Sequence, residues 1–383
     1  MRYFVIAGEA SGDIHAAQLI KSLRKNDTAA EFIFFGGDLM ATAAETKPVV
    51  HYREMAFMGF IEVAKHLPAI LGFMRTARHC IDSWHPDAVI LVDYPSFNLK
   101  VARYAASRGL KTFYFISPKV WAWKEHRVKQ IKAYITELYS ILPFEPDYFS
   151  HKHGYHVEYV GNPTVKEIAE AKRAFSTEEQ FRKDNGIESD LPIVAIVPGS
   201  RRKEIADNLP VMIRACESLG NVLPVIAVAP SVECSLYTDV LQRNGCNAAC
   251  KILFGKSFEI IHHARAALVT SGTATLETAV IGTPQVVCYR MNGSPLLYNL
   301  YKRMLKVHYV SLPNLIVDAP IVKELLLHHC SVDNIIANLR PLIGDSRERK
   351  DMLSGYASMM KRLGSDDCTA TAAMHIVSNL KKQ

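Results

Sequence analysis

The sequence predicts an α/β protein built from two doubly wound parallel sheets, followed by C-terminal helices. Three observations carry this. Strand-like apolar runs alternate with segments of helical spacing along most of the chain. The runs are continuous Val, Ile, Leu and Phe rather than every second residue, which marks strands covered on both faces. The alternation halts at a polar, charged stretch from about 166 to 190 and then starts again, so the pattern occurs twice.

In the first series, 3–7 is a short apolar run ended by Gly8, and Ala16, Leu19, Ile20 and Leu23 follow at helical spacing. Residues 31–35 read as a strand closed by Gly36 and Gly37. Ala88–Val92 reads as a buried parallel strand, 99–108 as a helix and 112–116 as another strand, with 137–142 and 157–160 completing the set. In the second series, strands are expected at 192–197, 225–228, 251–254, 267–270 and 285–288. Helices are expected after 200 and around Leu236, Phe258 and Thr275. The segments 321–327, 332–343, 348–362 and 369–381 read as helices only. The expected division is 1–170 and 186–343 as the two sheet domains, with 344–383 as helices that pack back on the first domain or are exchanged with a partner.

The 383 residues are 49% hydrophobic and 22% charged, enough for a normal core in each half, and no repeat or low-complexity segment is present. The formal charge of +7 suits an anionic partner such as a nucleotide phosphate or a phospholipid headgroup. The eight Cys are scattered. The nearest pair, Cys246 and Cys250, is not CxxC and has no metal-spaced His, so free thiols in a reducing compartment and no bound metal are expected. The apolar run before Glu9 is too short for a signal peptide, and no run approaches the roughly 18 apolar residues of a membrane span, so any membrane contact is expected to be peripheral.

Ligands of such sheets bind beyond the carboxyl ends of the strands. A cleft between the two sheets is therefore expected, lined by the turns after Ala7, Val92, Ile116, Val160, Val197 and Thr270. GEASGD (8–13) offers Gly8 and Gly12 for tight backbone, Ser11 and Asp13 as helix caps, and the acidic pair Glu9 and Asp13 for a sugar hydroxyl or as proton acceptor. It lacks GxGxxG, which disfavours a nicotinamide oxidoreductase. VDYPSFN (92–98) ends a strand with Asp93, either a base for an attacking hydroxyl or a helix cap, and with Asn98, a candidate sugar ligand. SPKVWAWKEHR (117–127) sets two of the three Trp beside Lys119, Lys124 and Arg127, and Trp121 is a candidate for stacking on a sugar. One such cluster without a basic stripe does not make a nucleic-acid site, and no nucleic-acid partner is expected.

PGSRRKEI (198–205) leaves a helix N-terminus open at Gly199 and Ser200, with Arg201 as a fork for phosphate. TSGTATLE (270–277) offers Ser271, Gly272 and Thr273 at another N-terminus. Glu277, one turn on, can accept ribose hydroxyls. Together these describe a nucleoside diphosphate in the second half. The segment 55–78 is rich in apolar residues beside cations. It is either a core helix pair or a lipid-facing surface presenting Met55, Phe57, Met58, Phe60, Phe73 and Met74.

GEASGD, VDYPSFN, SPKVWAWKEHRVKQI, GNP (161–163), PGSRRKEI, SGTATLE and YVSLPNLI (309–316), in this order, closely resemble the lipid-A-disaccharide synthases. The resemblance runs from residue 6 to about 327. It implies two Rossmann-like domains of the GT-B type facing a cleft, and an inverting, metal-independent glycosyltransferase whose UDP-sugar is a substrate rather than a cofactor. The implied reaction joins UDP-2,3-diacylglucosamine to 2,3-diacylglucosamine 1-phosphate (lipid X), releasing UDP and a β(1→6) disaccharide. The implied place is the cytoplasmic face of a Gram-negative inner membrane, with peripheral attachment; a homodimer is possible. On this resemblance Gly8, Ser11, Gly12, Asn98, Trp121 and Asn162 would serve the acceptor, and the acyl surface at 55–78 gains weight.

Two departures from the family pattern stand out. Relatives often read DxPDFN, where this chain has Ser96, so the base falls to Asp93, Asp13 or Glu9. Relatives often carry Gln after ELL, where this chain has Leu327, and Asn314 is the candidate to replace that nucleotide contact. The alternatives are a UDP-sugar epimerase of the same architecture and a non-enzymatic protein binding anionic lipid.

Overall fold

The computed structural model describes residues 1–55, 67–246, 249–290 and 308–382. The chain forms two compact units: Met1–Pro163 with Ser365–Gln383, and Thr164–Gly364.

The first unit is a seven-stranded parallel sheet. Its strands are β1 (Arg2–Ala7), β2 (Glu31–Gly36), β3 (Val50–His51), β4 (Ala88–Val92), β5 (Lys111–Phe115), β6 (Glu137–Ser140) and β7 (Glu158–Tyr159), in the order β3-β2-β1-β4-β5-β6-β7. The unbroken apolar run of β1 now has its cause. Tyr3, Val5 and Ala7 enter one core with the helix Ala10–Asn26, while Phe4 and Ile6 enter another with the helices Leu67–Trp84 and Pro95–Ser107. Both faces are dry from Tyr3 to Ala7, so the one charged residue of the strand, Arg2, sits at its start, where it is only partly buried.

The second unit is a six-stranded parallel sheet of β8 (Ile193–Val197), β9 (Leu223–Val228), β10 (Lys251–Phe254), β11 (Ala266–Thr270), β12 (Gln285–Tyr289) and β13 (Lys323–Leu326), in the order β10-β9-β8-β11-β12-β13. The chain therefore reverses its winding between β1 and β4 in one sheet and between β8 and β11 in the other. Such switch points leave a crevice beyond the strand ends, because the adjacent connections run to opposite sides.

Three expectations are corrected. Residues 321–327 are not a helix: the preceding helix Leu312–Val317 stops at left-handed Asp318, Pro320 follows, and Lys323–Leu326 pairs with β12 from Lys323↔Val286 to Leu326↔Tyr289. The charged stretch near 166–190 is not a connector, since its helices Pro163–Lys172 and Glu178–Asp184 plant Ile168 and Phe181 in the core of the second unit. Segment 344–383 is not one piece. The helix Arg347–Leu363 stays with the second unit, where Tyr356 donates to the Thr283 carbonyl. Gly364, with φ +66, ends it. The last helix, Cys368–Lys381, is capped by Asp367 and packs Ala372, Ala373, Ile376 and Val377 into the first unit's core. There Ser22 bonds Thr369 at 3.2 Å and Lys111 donates to the Asn379 carbonyl at 2.8 Å.

Candidate active site

At the switch point of the first sheet, Ala7 and Val92 are register partners, so the turns that follow them lie side by side. The turn after β4 is strained: Asp93 and Tyr94 both hold positive φ, 46° and 47°, at about 1 kcal/mol or more each. Asn98 offsets that cost from within. It is fully buried, and its amide donates to the carbonyls of Val92 (3.2 Å) and Asp93 (2.7 Å). Asn98 is thus a staple of the turn rather than a sugar ligand. The half-buried Asp93 carboxyl is pushed upward by desolvation, with the Lys119 ammonium and the Tyr94 backbone opposing.

The GEASGD turn is closed by its own neighbours. A side chain on Gly8 would meet the Tyr94 ring at 2.4 Å, and one on Gly12 would come within 3.3 Å of the Ala7 Cβ. These glycines admit protein, not a ligand. Asp13 does not cap its own helix: Glu9 holds the N-cap position without a side-chain capping bond, and exposed Ser11 lies in the first turn. Asp13 instead is 3% exposed and accepts the amides of Gly37 (2.7 Å), Leu39 (3.2 Å) and Met40 (3.2 Å), across the N-terminus of the helix Asp38–Ala44. A carboxylate held by three amides at a helix N-terminus is a clasp. The Glu9 charge and, more strongly, burial raise the Tyr94 hydroxyl, which donates to the Met55 carbonyl at 3.1 Å.

In SPKVWAWKEHR the two Trp separate. Trp121 packs edge-on against Phe144 and donates its indole N–H to Glu145 at 2.8 Å, so it is a structural anchor, not the sugar platform. Trp123 is the exposed one, at 56%. Glu145 escaped the sequence reading. It is wholly buried beneath this loop, also bonded by the Ser140 hydroxyl, and burial pushes its carboxyl up to about 7 against the pull of those donors and Lys119. Asn162 is likewise buried and donates to the Ile141 carbonyl at 2.8 Å.

The acyl-surface residues divide in the same way. Met55 and Met74 are core residues and Phe73 packs against that core; Phe57, Met58 and Phe60 lie outside the described residues. The helix Leu67–Trp84 exposes Leu71, Arg75 and Arg78, along with Pro68, His79, Asp82 and Ser83.

The second sheet's switch point is open. Val197 and Val269 are register partners, which brings the turns after β8 and β11 together. Ser200, Arg201, Gly272 and Thr273 are exposed and Gly199 and Ser271 half-buried. Gly199 needs its φ of +121°, and a side chain there would strike Glu204 at 2.7 Å. Glu204 is the second missed residue: from the third position of the helix Arg202–Leu219 it accepts the Ser200 amide (3.2 Å) and the Arg201 guanidinium (3.1 Å). A carboxylate thus occupies the place where an external anion would be received. Its signal in the sequence is an acidic third helix residue, the partner position of a capping box.

Gly272 caps the helix Thr273–Ile281 without a side-chain bond, and Ser271 donates to the Val310 carbonyl at 3.2 Å. Burial, with Glu167 nearby, pushes the half-buried Glu277 carboxyl up to about 7. Asn314 cannot serve a nucleotide. It is buried and saturated by Val322, at 2.9 and 2.8 Å, and by Glu324, which also accepts the Ser311 amide and hydroxyl. Among the described residues, no group of three or more His, Cys, Asp or Glu could hold a metal ion.

A sequence model described as lipid-A-disaccharide synthetase matches residues 3–376. Lipid-A-disaccharide synthases from Acidobacterium capsulatum and Myxococcus xanthus are each 34% identical to this chain, covering 98% and 99% of it and 95% and 97% of the relative. A UDP-GlcNAc 2-epimerase of Neisseria meningitidis, solved with UDP-GlcNAc, superposes with TM-score 0.65 at 14% identity, over the whole of both chains. Anabaena HepE, solved with UDP and glucose, gives 0.58 at 13%, again over both whole chains. At these identities the two structures share the fold.

Proposed function

The chain belongs to the lipid-A-disaccharide synthetase family, a family of glycosyltransferases, and from that premise we propose its reaction. The protein joins UDP-2,3-diacylglucosamine to lipid X with inversion, giving the β(1→6) disaccharide 1-phosphate and UDP. The observation that carries this reading is the open switch point of the second sheet, where two helix N-termini and Arg201 stand exposed together. Charge accumulates on the diphosphate as the glycosidic bond to UDP breaks. Backbone amides at Ser200 and Ser271 to Thr273, with the Arg201 fork, stabilise it there without a metal. Glu277 takes the ribose hydroxyls. Glu204 is the internal anion that UDP displaces.

Asp93 is the base in this reading. Its strained turn is held by Asn98, and desolvation raises its carboxyl toward the working pH, as proton abstraction from the acceptor hydroxyl requires. Asp13 is discounted because its oxygens already serve three amides. The enzyme works at the cytoplasmic surface of the inner membrane, with Leu71, Arg75 and Arg78 as contacts to lipid. No described helix is long and apolar enough to cross a bilayer.

The test is UDP release from UDP-2,3-diacylglucosamine with and without lipid X. Release that requires lipid X, is lost in Asp93→Asn and survives in Glu9→Gln fits the proposal. One rival has the same fold, a UDP-sugar epimerase. Interconversion of a water-soluble UDP-sugar with no acceptor present would establish that rival instead.

A further inference from the structure

We propose that Arg127 and Lys124, placed around Trp123, form a subsite for a phosphate monoester. The starting point is a charge without a counter-charge. Arg127 is 8% exposed, yet among the described residues its side chain makes one hydrogen bond, to the hydroxyl of Ser96 at 2.7 Å, and rests on the Trp123 ring at 5.8 Å. No described carboxylate lies within ion-pair reach of it. A guanidinium offers five donors, and sinking it into protein without an anion is unfavourable. At 8% exposure the side chain is not wholly sealed, so a ligand can reach it.

The neighbourhood adds charge of the same sign. The Lys124 ammonium sits 4.2 Å from the centre of the same indole, and both burial and the Arg127 charge make it easier to deprotonate. Lys124 is also held at φ +53°, a strained setting for a side-chain-bearing residue. Two cations are thus gathered against one ring, where an external dianion would meet both. The Ser96 departure fits the same logic. A carboxylate at this position would lie on the guanidinium and neutralise it, whereas the Ser96 hydroxyl leaves its charge for a ligand.

The chemistry selects the ligand class. A guanidinium fork beside an ammonium matches the oxygens and double charge of a phosphate monoester, and the exposed Trp123 face can stack on a sugar ring next to it. Resting on the glycosyl-transfer reading above, the ligand is the sugar 1-phosphate of the acceptor.

Full-length protein titrated with glucosamine 1-phosphate, by calorimetry and indole fluorescence, tests this directly. Wild type should bind glucosamine 1-phosphate and not glucosamine, and Lys124→Ala, Ser96→Asp and Arg127→Gln should each weaken binding about tenfold or more. Ser96 is exposed and Lys124 half-buried, so those two variants carry the test if Arg127→Gln does not fold. Unchanged affinity in them, or no binding by wild type, overturns the subsite. Phosphatidylglycerol vesicles form a second arm. If the variants lose vesicle binding but keep glucosamine 1-phosphate, the cations serve a bilayer and the assignment fails. In the transfer assay, Lys124→Ala should raise KM for lipid X with little change in kcat. If no acceptor is glycosylated but glucosamine 1-phosphate still binds through Arg127, the subsite stands and the reaction reading falls.

Discussion

The two switch points are built from the same parts and finished differently. In the first unit the turn after β1 is filled from within: Tyr94 covers Gly8, Asp13 is spent on three amides, and Asn98 holds the next turn. In the second unit the corresponding turns keep their exposed backbone, with Glu204 as a single carboxylate bonded to Ser200 and Arg201. A filled turn can aim one reactive group with little freedom. An open turn offers amides to whatever anion arrives. On the proposed reaction, the contrast gives positioning to one sheet and anion binding to the other, and each half of it can be broken.

The largest expected effect is on stability. Asp13→Ala leaves three amides unpaired in a buried place and should cost about 3–4 kcal/mol in urea unfolding. A fully stable but inactive Asp13→Ala would make it a reactive group and erase the contrast. Next, Arg201→Ala should lower kcat/KM on the order of a hundredfold and leave the unfolding midpoint in place, because its side chain is 76% exposed. Then Gly8→Ala, pressing a methyl into the Tyr94 ring, should destabilise by about 2 kcal/mol, whereas Gly272→Ala, with open space around it, meets no such contact and should cost only the backbone strain of its φ of +157°.

The remaining test is a pH dependence. The Glu277 carboxyl is raised in the folded state from 4.5 to about 7. The folded protein therefore binds this proton more tightly than the unfolded chain, and stability falls as pH rises between those values and is level above them. Glu277→Gln should be more stable than wild type at pH 8 and equal to it near pH 4. For the ligand the sign reverses. Ribose hydroxyls need the charged carboxylate, so UDP affinity in wild type should weaken as pH drops below about 7. The Gln variant should bind weakly at every pH, as isothermal titration across that range would show.

The sequence disclosed the strands and the turns because both are written locally. A strand dry on two faces must be an unbroken apolar run, as 3–6 and 88–92 are, and a turn at its end must break into Gly, Ser or Asp. It did not disclose which polar residues are consumed. Asp13 meets Gly37 24 positions away, Trp121 meets Glu145 at the same separation, and Asn314 closes on Val322 and Glu324. Such pairings leave no periodic trace, so residues read as ligands proved to be fasteners. The C-terminal helices were legible as helices, but not the division at Gly364 that sends Tyr356 to one core and Ile376 to the other.

The most direct measurement is a crystal structure of the protein soaked with UDP. The account expects the diphosphate within hydrogen-bond distance of the Ser200 amide, Arg201 and the Ser271 to Thr273 backbone, the ribose on Glu277, and the Glu204 carboxylate turned away. Electron density for UDP elsewhere, with Glu204 still bonded to Ser200 and Arg201, would contradict it.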